Sequence, residues 1–164
     1  MTDHYIQLNK SDVLRLEIRT SEGVSTGEYL EFDLEDIELP LRYQELIEKD
    51  KKNKLNLRNQ LLIIDKKQDV KGKRLLSKNE EEKIKALNSF FDKEIEVYNM
   101  FLGDNGVQKL LNGRKFGWTT LQEIDDIIKN QIAPYVDVNM EKITEKVKSK
   151  YGVPENIDDI EVIE

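Results

Sequence analysis

Cysteine is absent and histidine occurs once, at His4, so the chain holds no disulfide framework, no thiolate metal site and no imidazole pair to share a metal. A serine nucleophile would also lack a neighbouring base, since there is no second histidine and no Gly-x-Ser-x-Gly turn. Long apolar runs are missing too. The longest is Leu61 to Ile64, far short of the roughly 20 residues needed to span a bilayer. The start, Met-Thr-Asp-His, has neither the basic nor the apolar region of a signal peptide, which points to the cytoplasm and to no membrane partner. No Walker loop and no Gly-x-Gly-x-x-Gly fingerprint occurs. The expectation is therefore a protein that is not an enzyme, with no catalytic residues, no cofactor and no metal.

What is present is charge, at 36% of 164 residues, spread unevenly about a net of −7. Residues 1–40 carry 3 basic and 10 acidic side chains, residues 41–85 carry 14 and 8, residues 86–150 carry 9 and 10, and residues 151–164 carry none and 5. Acidic ends and a basic middle favour either a solvated surface or head-to-tail contacts between copies, so self-association into an oligomer is one expectation.

Periodicity gives the fold class: α+β, with an N-terminal antiparallel hairpin and a mostly helical body, in one domain over 1–164. Leu14, Leu16 and Ile18 alternate with Arg15, Glu17 and Arg19, and Leu30, Phe32 and Leu34 alternate with Glu31, Asp33 and Glu35, which predicts a hairpin over 12–35 with its loop at Ser21–Gly27. Residues 40–67 read as helical after Pro40, as one helix with a solvated middle at Lys49–Lys54 or as two helices meeting there. Residues 68–77 read as a flexible basic connection. No aromatics are interleaved with its charges, so it does not read as a nucleic-acid patch.

The helical core is expected over 78–151. Ser77-Lys-Asn-Glu80 has the form of a capping box, and Ile84, Leu87, Phe91, Ile95, Tyr98 and Leu102 follow at helical spacing, widened by Phe90, Val97 and Phe101. Gly103 and Asn112-Gly113 read as helix stops, and Thr120-Leu-Gln-Glu123 as a capping box opening another helix. Leu121, Ile124, Ile128, Ile132 and Tyr135 form a stripe that Val136, Met140, Ile143, Val147 and Tyr151 continue, with a kink expected at Pro134. Residues 152–164 form an acidic tail, disordered or adding a strand through Ile160 and Val162.

Two functional readings follow from these residues. The apolar face of the 78–102 helix is wide enough either to be the core helix or to receive a partner helix. The candidate partner-binding residues are Phe90, Phe91, Val97, Phe101, Phe116 and Trp118. The helix, turn, helix order around Gly103–Ile128 also matches a DNA reader. Glu123, Asp125 and Asp126 would face phosphates with the wrong sign, so no nucleic-acid partner is expected.

The segments "EFDLEDIELP" and "FFDKEIEVYNMFLGDNGVQKLLNGRKFGWTTLQEIDDII" resemble the tail assembly chaperones of long-tailed bacteriophages that infect Gram-positive bacteria, over Leu14 to Ile132. The basic stretch Lys49–Lys78 departs from the family's compact pattern. The resemblance implies a non-enzymatic helper in the host cytoplasm that coats and solubilises the tape measure protein until tail-tube subunits replace it. The alternatives are a small structural or adaptor protein retained in the particle and, third, a helix-turn-helix DNA-binding regulator.

Overall fold

The computed structural model of the chain describes Ile6 and residues 12–152. His4, most of the acidic tail and the strand considered at Ile160 and Val162 lie outside the described residues. An antiparallel hairpin of β1 (Val13–Arg19) and β2 (Ser25–Asp33) precedes a mostly helical body, so that 65% of the described residues are helical.

The hairpin's alternation sets its two faces. Ile18, Leu30 and Phe32 are buried with Leu14 and Leu16 against them, while outside Arg15 pairs with Glu31 and lies 3.8 Å over the Tyr29 ring. The turn is shorter than the expected Ser21–Gly27. It closes between Thr20 and Val24, and β2 already runs from Ser25. The register slips between Glu17↔Tyr29 and Arg19↔Ser25, and Gly27 takes up the irregularity at a φ of 78°.

Residues 39–65 form one continuous helix, α1 (Leu39–Asp65), with Pro40 in its first turn. Asp36 prepares its entry by accepting from the Glu38 amide at 2.9 Å and from Arg42 at 2.6 Å. These bonds, the Arg42 side chain's foremost, hold its carboxyl below the usual range. The polar run at 49–54 does not break the helix, because Lys49–Glu45 and Lys54–Asp50 pair along it at i,i+4. Residues 66–77 then lead to α2 (Lys78–Leu102), where the Ser77 hydroxyl accepts from the Glu80 amide at 3.1 Å. Both ends of this connection are bonded: Asn79 donates to the Lys67 carbonyl, and Asp69 accepts from the Asn79 amide. The two long helices run antiparallel, with Asp65 beside Lys83 and Asn53 beside Glu94.

Gly103 ends α2 at a φ of 98°, and α3 (Gly106–Leu111) starts at once. Gly106 sits so close to α2 that a Cβ there would lie 2.5 Å from the Leu102 Cβ, a contact only glycine avoids. Asn112 and Gly113, both at positive φ, end α3 as their sequence implied. The next helix, α4 (Trp118–Ile127), begins earlier than a Thr120 cap would place it. Thr120 lies inside the first turn, and its hydroxyl accepts from the Gly117 amide at 2.7 Å, while Glu123 turns to Arg114.

The proline is absorbed by a widened helix. Ile128–Ile132 form a π-helical turn in which the Ala133 amide donates to the Ile128 carbonyl, and α5 (Ala133–Tyr151) continues from it. Pro134 lacks the amide an α-helical ladder would use there, so the extra residue per turn falls where the ladder is already broken. Beyond Val136 the expected stripe changes character. α5 buries Asn139 instead, whereas Met140, Val147 and Tyr151 are exposed. Asn139 donates to the Leu34 and Asp36 carbonyls at 2.5 and 3.1 Å and so ties α5 to the exit of the hairpin.

The core forms where hairpin, α1, α2 and α4 meet. Phe101 is 3% exposed, with Phe32 and Tyr43 at ring distances of 5.6 and 5.5 Å. Among the described residues no helix is long and apolar enough to cross a membrane.

Candidate interaction surface

The six residues singled out from the sequence separate into two groups. Phe90, Val97 and Phe101 are buried in the chain's own core. Their burial corrects the expectation that they present a surface, because the width of the α2 face is used by α1, α4 and the hairpin. Phe91 and Phe116 are half-buried and Trp118 is 53% exposed. These three form a continuous aromatic rim. Phe91 meets Phe116 edge-on at 5.6 Å and Trp118 edge-on at 5.2 Å, and Trp118 also lies 5.4 Å from the buried Phe90.

The rim opens into a groove of about 410 Å³ between Trp118 and the second half of α1, lined by Lys54, Leu57, Arg58, Leu61, Leu62, Asp65 and Trp118. Leu57 and Leu61 form its floor, since Leu57 is buried and Leu61 half-buried. Leu62 is 49% exposed, and Leu55, two turns away on the same face, prolongs the apolar flank. Sequence periodicity indicated the apolar stripe of α1 but not that Trp118 would stand across from it.

Beside the groove lies a polar cluster that the sequence reading missed. Glu94 on α2 is 0% exposed, and its Oε1 accepts from the Asn53 amide at 3.0 Å. Asp50 and Lys54, one turn apart on α1, pair at 2.9 Å. Burial, then Asp50, push the Glu94 carboxyl up to about 8, against the opposing influence of Asn53 and Lys54. Burial acts to lower the Lys54 ammonium, but the bond and charge of Asp50 outweigh it and the net direction is upward. Tyr98 donates to Asp125 at 2.6 Å, and burial followed by that bond pushes its phenol upward, so it stays neutral. The signal was present in the spacing. Glu94 falls between Phe90 and Tyr98 on the core face, and Asp50 and Asn53 fall between Leu46 and Leu57 on the facing one.

The other candidate chemistry is dispersed. Glu123 pairs with Arg114, Asp125 receives Tyr98, and Asp126 receives Gln122, so the three carboxylates of α4 do not converge. No group of acidic residues among the described ones could hold a metal ion. The outward face of α4 presents Gln122, Glu123 and Asp126, and the nearest guanidinium, Arg114, is occupied by Glu123. The geometry is that of an open apolar groove with a charged border. No protein-family model, curated protein or solved structure matches this chain.

Proposed function

We propose that the chain is a non-enzymatic phage tail assembly chaperone that holds apolar helical segments of the tape measure protein in the groove between Trp118 and α1. The observation that carries this reading is the groove itself, an open apolar channel with a half-exposed tryptophan on one wall, Leu62 on the other and Leu57 and Leu61 on its floor. Such a channel accepts one face of an amphipathic helix, presented at i, i+3, i+4 and i+7. The resemblance of "EFDLEDIELP" and the Phe90–Ile128 region to that chaperone family supplies the identity of the partner. A tape measure is a long chain of repeated apolar positions, and many copies of a small charged protein would keep it in solution.

The exposed Met140, Val147 and Tyr151 on α5, together with the uneven charge, support self-association of copies along such a partner. The particle-retained adaptor shares this chemistry and differs in its fate, so the chain's presence in purified mature virions would favour it. A DNA-reading role has little support, because α4 presents acidic residues outward. Co-expression with the tape measure protein of the same phage tests the proposal. It predicts a complex that survives size exclusion and a soluble partner; an unchanged, insoluble partner with no complex contradicts it.

A further inference from the structure

The Glu94 Oε2 and the Asp50 Oδ1 are both buried and both without a hydrogen-bond donor, and the two side chains face each other across the α1–α2 seam. Two carboxylate oxygens cannot bond to each other unless one carries a proton, and a single proton satisfies both. From this geometry we infer that α1 is held on α2 by a proton-dependent latch, in which Glu94 and Asp50 share one proton and the seam loosens when that proton leaves for solvent. The inference does not rest on the proposed partner.

The surroundings decide which state is stable. From α1, Asp50 and Lys54 face the site; from α2, Glu94 and Tyr98; from α4, Asp125, with Lys129 on its outer side at 3.5 Å. With Glu94 protonated, each carboxylate has its own ammonium: Asp50 pairs with Lys54 and Asp125 with Lys129. Ionising Glu94 adds a third negative charge, on a side chain that is itself fully buried, with no third ammonium to meet it, and the remaining neutral donors are already used: Asn53 by Glu94 itself and Tyr98 by Asp125. Burial, then the facing Asp50, push the Glu94 carboxyl up to about 8, so it keeps its proton at neutral pH.

The latch lies against the groove, since Lys54 belongs to both and Leu57 follows Asn53 by one turn. Trp118, the only tryptophan, stands on the opposite wall and reports on any movement of α1. The test is a pH titration of the intact chain from about pH 6 to about pH 9, following glutamate side-chain carboxyl carbons by NMR and Trp118 emission in parallel. The expected result is one glutamate carboxyl titrating near pH 8 together with a change in Trp118 emission. Glu94→Gln, which keeps a neutral donor at the site, should abolish both transitions. Asp50→Asn should move both to lower pH, because it removes the like charge and offers a donor to the ionised Glu94. All glutamates titrating in the ordinary range would overturn the shared proton. A titrating Glu94 with unchanged Trp118 emission, or the same emission change in Glu94→Gln, would overturn the latch. If Glu94→Gln does not fold, the wild-type carboxyl titration and Asp50→Asn decide.

Discussion

Phe90, Val97 and Phe101 and, beside them, Phe91, Phe116 and Trp118 belong to one apolar band of the sequence, yet the fold uses them in opposite ways. The first three are sealed between α1, α2, α4 and the hairpin; the second three form a rim whose outermost ring is half in solvent. A helix stripe wider than one neighbour can cover thus divides into a part that makes the fold and a part left over for contact. The difference predicts that substitutions in the first group act on stability and those in the second act on binding.

The largest effect separating them should come from Phe101→Ala, which leaves a cavity where Phe32 and Tyr43 now pack and should cost about 3–5 kcal/mol in urea unfolding. Asn139→Ala is next. It strips the donor from two carbonyls at the hairpin exit and should cost about 1–3 kcal/mol, read from the same denaturation curve. Trp118→Ala should cost only about 1 kcal/mol, the worth of its ring contacts with Phe90 and Phe91, while leaving the circular dichroism unchanged. A cost for Trp118→Ala equal to that of Phe101→Ala would erase the distinction between core and rim.

Glu94→Gln, which replaces a neutral carboxyl by a neutral amide of nearly the same shape, should have the smallest effect near neutral pH, below about 1 kcal/mol, the worth of one hydrogen bond, and a clear one on pH dependence. A carboxyl whose folded value is raised from 4.5 to about 8 contributes stability that is full below 4.5 and is lost as pH climbs through the folded value. Wild type should therefore show a thermal midpoint that declines from about pH 6 to about pH 8, and Glu94→Gln a flatter profile over the same range. A wild-type midpoint independent of pH across that window contradicts this.

Much of the fold was legible because it depends on local signals. Alternation gave the hairpin, Ser77 the start of α2, and Gly103 and Asn112-Gly113 their stops. The features that were not legible are the ones decided by tertiary neighbours. Asp50, Asn53 and Lys54 read as a solvated interruption of α1: their spacing puts Asp50 and Asn53 on the inward face, but only the pairing of α1 with α2 sets Glu94 opposite them. Met140 and Val147 read as core because they keep the helical period, but the position that reaches the hairpin is Asn139, a polar side chain outside that pattern. Thr120 has the sequence form of a cap, yet the helix opens at Trp118 because Gly117 offers an extended residue and an amide that the Thr120 hydroxyl can accept. Of the candidate surface, the aromatic rim could be named from sequence, whereas its facing wall on α1 could not.

The most direct measurement is co-purification of the tape measure protein with wild type and with Leu62→Glu, which places a charge on the exposed wall of the groove at little cost to the fold. Docking in the groove predicts that wild type keeps the partner soluble and bound through size exclusion, and that Leu62→Glu, equally folded, loses it. Equal retention by both proteins, or a partner that precipitates with wild type, would contradict it.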